Sequence, residues 1–183
     1  MVRSVALLFC VLLGNLCLTE IATAQTSTRG TVLSQRRIVS GDGTLLLKTV
    51  RTFAGPTRIF GDFLDRSGNL IRRDVEFGLP TIAGNQTDPR ATGLVNGGYA
   101  IAWRNDHLSA NGGIRYSVVT TQGAYIDRDQ KANIRYSTTL SPTTVVGISN
   151  GSFVIAWRDN ATGTNWSRSF NSIGIATSGE QRE

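Results

Sequence analysis

The chain has 183 residues and a formal net charge of +6, from 19 basic and 13 acidic side chains. Both cysteines, Cys10 and Cys17, fall in an N-terminal apolar run, so the rest of the chain excludes disulfides, a thiol nucleophile and a cysteine-ligated metal. A chain without disulfides must build its own core, and residues 25–183 are enough for one domain of ordinary size.

Arg3, the apolar run 5–18 and the small-residue site Ala22-Thr23-Ala24 have the form of a secretory signal peptide, with cleavage expected after Ala24. The run is short for a membrane span and none of its length follows. Residues 25–183 are therefore expected to be secreted, to span no membrane and to form one β-repeat domain. Lys48 and Lys131 are the lysines of that region, and its other basic residues are arginines. The planar guanidinium fork suits carboxylates, sulfates and phosphates, so an anionic extracellular partner is compatible with the charge. No basic cluster extends beyond Arg36-Arg37 and Arg72-Arg73, and nucleic acid is not an expected partner.

The segment DGTLLLKT (42–49) reads as the first of three related strands. It is followed by IFGDFLDRSG (59–68), a strand-like run closing on a turn glycine. NGGYAIAWRND (96–106) is the second copy of the leading strand, with IRYSVVTTQG (114–123) after it. NGSFVIAWRDN (150–160) is the third, with NWSRSFNSIG (165–174) after it. Trp103 and Trp157 stand 54 residues apart (157 minus 103), and six of the eleven positions around them are identical. On a 54-residue period Gly43 matches Gly97 and Gly151, and Thr49 replaces the tryptophan. A period of this length indicates an array of like units, with boundaries near 25–78, 79–132 and 133–183.

Each unit reads as β. In the second copy Tyr99, Ile101 and Trp103 share one face of a strand, and Ala100 and Ala102 the other. In the third the faces are Phe153, Ile155 and Trp157 against Val154 and Ala156. Strands apolar on both faces suit burial between two sheets. Asn96-Gly97 and Asn150-Gly151 are tight-turn signals for hairpins. The fold class expected is all-β, in propeller-blade-like units of about four antiparallel strands, with a β-sandwich or short barrel as the alternative. Tyr99, Ile101, Trp103, Phe153, Ile155 and Trp157 are the repeat core.

The turn glycine, the aromatic-led strand ending in tryptophan and the second strand closing on glycine resemble the β-propeller-like repeats of large bacterial secreted and surface proteins. The resemblance covers the second and third copies well and the first loosely. It implies an extracellular or cell-surface setting, often adhesive, and carries over no catalytic residue.

Motifs for chemistry are sparse. RRIVSGDG (36–43) has the look of a protease activation site, but the chain holds one histidine, His107, and no matching serine segment. One histidine without a second or a cysteine builds no usual zinc site. DFLDRSG (62–68) and DRDQ (127–130) lack the ligand spacing of a calcium loop. No carboxylate pair announces a glycosidase. No catalytic residue, cofactor or metal is therefore expected. The candidate contacts are Arg104 and Arg158, which follow the repeat tryptophans, Asp106 and Asp159 in the turns after them, and Trp166. Trp166 breaks the repeat, because Arg115 and Phe60 stand in its place in the other copies. Sequons occur at Asn85, Asn150, Asn160 and Asn165. The reading is a secreted, non-enzymatic binding or adhesion module for an extracellular polymer or surface protein. A self-assembling subunit is the alternative, and a divergent hydrolase stands behind both.

Overall fold

The structure is a computed structural model that describes residues 27–183, except 42, 109–111, 136 and 138. The segment read as a signal peptide, with Arg3, Cys10, Cys17 and the cleavage expected after Ala24, lies outside the described residues. The chain forms three four-stranded antiparallel sheets, and no sheet closes into a barrel. The first sheet runs β1 (Gly30–Ser40), β2 (Gly43–Thr52), β3 (Thr57–Asp65) and β4 (Leu70–Glu76). The middle sheet runs β5 (Gln86–Gly93), β6 (Tyr99–Asn105), β7 (Gly113–Val119) and β8 (Tyr125–Lys131). The last sheet runs β9 (Leu140–Gly147), β10 (Phe153–Asp159), β11 (Thr164–Phe170) and the short β12 (Gln181–Arg182). Each is an up-and-down meander in sequence order.

The three sheets fan out from their first strands, with the middle sheet between its neighbours. The large face of β6 (Tyr99, Ile101, Trp103) packs on Leu45, Leu47, Ile59, Phe63 and Phe77 of the first unit. Its small face (Ala100, Ala102) joins Tyr116 and Val118 under Phe153, Ile155, Trp157 and Phe170 of the last sheet. All six repeat-core side chains are at most 1% exposed. Large side chains from one sheet thus fill the hollow left by alanines of the next, which gives the alternation of bulky and small faces its physical use.

The first strands approach backbone to backbone. A Cβ on Gly93 would lie 2.6 Å from the Val39 carbonyl oxygen and 2.6 Å from Ser40 Cβ, and one on Gly147 would lie 2.9 Å from the Gly93 oxygen. Glycine is needed there because nothing larger fits between the chains. The ends of these strands, 39–41, 93–95 and 147–149, converge on a shallow axial cleft.

Strand pairing corrects the register of the first copy. Trp103 pairs with Arg115, Trp157 with Trp166 and Lys48 with Phe60, so the tryptophan position of the first unit is Lys48 and not Thr49. The cause is one missing residue in the first hairpin. Four residues separate the paired Val39 and Thr44, whereas five separate Gly93 and Tyr99. A one-residue slip exchanges the two faces of a strand. Leu45 and Leu47 accordingly face the middle sheet, and Lys48 points to the other side of its own sheet.

Candidate functional site

The position paired across the second and third strands of each sheet is the place to compare, because the three units fill it differently. In the first sheet Lys48 is fully buried and its ammonium donates to Asp62 (2.8 Å) and Asp74 (2.6 Å). In the middle sheet Trp103 occupies that place, and the buried Arg115 opposite it pairs with Asp129. In the last sheet Trp157 and Trp166 face each other. Arg168 of β11, on the same face, donates to the Ser178 and Ala132 carbonyls instead.

A carboxylate on the fourth strand, or just before it, completes each arrangement. Asp74 accepts the Thr28 N–H at 2.8 Å, Asp129 accepts the Leu79 N–H, and Glu180 accepts the Ile134 N–H at 2.7 Å. Each donor belongs to the segment leading into the same unit, so every unit is clasped to itself. Asp74 and Asp129 sit at bulges with φ of 49° and 53°, a left-handed conformation that aspartate tolerates. Their own N–H groups donate to Asp62 Oδ1 (2.8 Å) and Ser117 Oγ (2.9 Å). Burial alone would raise the Asp74 carboxyl. The bonds from Lys48 and Thr28 outweigh it, and the pKa lies below the usual carboxylate range.

Beside the tryptophan pair of the last sheet lies a cleft of about 240 Å³. Trp157 is its buried floor and the half-buried Trp166 its wall. Arg135, from the lead-in segment, lays its guanidinium 4.5 Å from the centre of the Trp166 ring, a cation–π contact. Its Nε is 3.6 Å from Glu180 and its side chain is 73% exposed. Arg182 pairs with Trp166 across the strands, is exposed and makes no ion pair among the described residues.

Two carboxylates line the cleft, and both are engaged. Glu180 accepts the amides of Ile134 and Arg135. Asp159 accepts the Thr139 hydroxyl at 2.7 Å and the Ala161 N–H at 3.0 Å. The Thr139 bond, chiefly, holds the Asp159 carboxyl below its ordinary range. Ser137, Thr162 and Thr164 add hydroxyls to the lining.

The cleft thus brings together Asp159 and Trp166 of the sequence-predicted contacts and leaves the other three elsewhere. Arg104 is half-buried, on the face of β6 turned toward the last sheet. Arg158 is exposed, on the face of β10 turned away from the middle sheet. Asp106 is exposed and accepts the Asn85 N–H and its side-chain amide, which ties two loops together. Arg135, Glu180 and Arg182 were not singled out from sequence. Arg-Asp occurs at 73–74, 128–129 and 158–159, and the 55-residue spacing of the first two (129 minus 74) could have pointed to the clasp carboxylates. The third clasp carboxylate, Glu180, stands 51 residues after Asp129 (180 minus 129) and outside that spacing. Among the described residues no group of three or more His, Cys, Asp or Glu is placed to hold a metal ion, and no helix is long and apolar enough to cross a membrane.

Comparison with protein-family models, with curated proteins and with solved structures finds no match to this chain.

Proposed function

We propose that this chain is an exported, non-catalytic β-repeat module that binds an extracellular polymer or surface protein at the end of its last sheet. The observation that carries the reading is the cleft at the paired Trp157 and Trp166, walled by tryptophan and bordered by Arg135 and Arg182. Three fanned four-stranded meanders support the likeness to propeller-like repeats of secreted and surface proteins. Binding is favoured over hydrolysis because a glycosidase acid needs a raised carboxyl pKa. The Asp159 carboxyl is instead lowered, and Glu180 is tied to two backbone amides.

The test is direct. The purified chain is applied to immobilised extracellular polysaccharides and surface-protein extracts, alone and as Trp166→Leu. Retention lost in the variant is the expected result; retention unaffected by the substitution overturns the site. Accumulation of new reducing ends from a retained polysaccharide overturns the non-catalytic reading.

Self-assembly is the second reading. The face of the last sheet turned from the middle sheet presents Val146, 50% exposed, beside the half-buried Val154. This is the small-residue face that, in the middle sheet, lies under a neighbour. Light scattering of the purified chain tests it, and a monomer at all concentrations excludes it.

A further inference from the structure

Taking the binding reading above as its basis, we infer that the cleft of the last sheet is a subsite for one saccharide unit carrying an anionic group, a carboxylate or a sulfate. Size comes first. About 240 Å³ is below the ~300–1,000 Å³ of pockets that enclose drug-sized ligands, so it accommodates a single ring of a longer polymer.

Charge selects the ligand class. The acidic side chains of the cleft have their oxygens engaged from within, Glu180 by the Ile134 and Arg135 amides and Asp159 by the Thr139 hydroxyl and the Ala161 amide. The cationic side is open. Arg182 is exposed and lacks a carboxylate partner among the described residues, and Arg135 reaches Glu180 only at 3.6 Å. A guanidinium with free donors in a partly apolar recess is a site for carboxylate or sulfate oxygens.

The aromatic wall separates a sugar from a simple anion. Trp166 is half-buried with Arg135 over one face of its ring, so the remainder of its indole offers a fixed apolar surface at little entropic cost. Hydroxyl-bearing Thr162 and Thr164 border the same recess. A bare phosphate or an acidic peptide would use the arginines and leave the indole unused. A ring with hydroxyls, an apolar C–H face and one anionic substituent uses all three. In the middle unit the corresponding Arg115 is buried against Asp129.

The experiment measures binding of the purified chain to polygalacturonate, dextran sulfate, neutral dextran and polyglutamate by calorimetry at physiological ionic strength. At least one of the two acidic polysaccharides is expected to bind, with neutral dextran and polyglutamate weaker by about tenfold or more. Preference between polygalacturonate and dextran sulfate assigns the carboxylate or the sulfate. Arg182→Gln and Trp166→Leu are each expected to weaken binding by about tenfold. Arg158→Gln, on the opposite face of the sheet, is expected to leave it unchanged. Arg182 is exposed, so its variant folds even if the tryptophan variant does not. Equal binding of polyglutamate, or indifference to Arg182→Gln, overturns the inference, as does failure of both acidic polysaccharides. Retention of neutral glycans or of a surface protein through Trp166, without the acidic ones, overturns this ligand class and leaves the binding module standing.

Discussion

At the scale of single residues, Lys48 shows how far one position can depart from its repeat. A lysine stands where the other units place tryptophan, and Asp62 and Asp74 both reach its buried ammonium. Taking the ammonium away leaves two carboxylates buried with no cation. Lys48→Ala is therefore expected to cost about 3–5 kcal/mol, read from urea unfolding. The same group sets an acid limit. The folded pKa of Asp74 lies below its ordinary value, so its contribution is complete above the unfolded carboxyl pKa. It disappears as pH falls from about 4 through the folded value. Glu76 has the opposite sign, because burial raises its carboxyl; its contribution is present at acid pH and fades as pH rises through the folded value. Melting temperatures of the parent chain should drop steeply below about pH 4, and Asp74→Asn should flatten that slope while lowering stability at neutral pH. None of this was legible beforehand. The glycine-anchored repeat put Thr49 in the tryptophan slot, and only the shortened first hairpin reveals that Lys48 belongs there.

Elements were easier to read than residues, and the reason is periodicity. A strand with tryptophan, isoleucine and tyrosine on one face and alanines on the other admits few readings, and β6 and β10 fall where the alternation places them. The Asn-Gly signals mark real hairpins, with Gly97 and Gly151 at φ of 84° and 85°. The first strands were not foreseen in detail, since close backbone approach leaves no apolar pattern. Their test is Gly93→Ala, whose methyl would meet the Val39 oxygen and Ser40 Cβ at 2.6 Å. Overpacking of this kind costs typically about 1–3 kcal/mol, to be seen in a lowered urea midpoint with an unchanged slope. The candidate site divides the same way. Trp166 was visible because it broke a pattern. Arg135 and Glu180 were not, because they meet only when the lead-in segment folds back across the last unit, whose spacing differs from the others.

Across the whole molecule the sheets are not equivalent. The middle sheet packs on both faces, against the first unit on one side and the last on the other. By contrast most of β1 is exposed, and β12 contributes two exposed residues. Local opening follows burial, so backbone amides of β6 and β7 are expected to exchange with solvent most slowly and those of β12 fastest. Uniform protection across the three sheets in a hydrogen-exchange experiment would contradict that order. The clasps add a property of another kind. Thr28 with Asp74, Leu79 with Asp129 and Ile134 with Glu180 each join the start of a unit to its own end, never to a neighbour's. A stretch of gene encoding the middle unit therefore carries its own fastening wherever it is copied. The lineage could lengthen by whole units without inventing a new joint, and tandem duplication is the form of variation this architecture most readily survives.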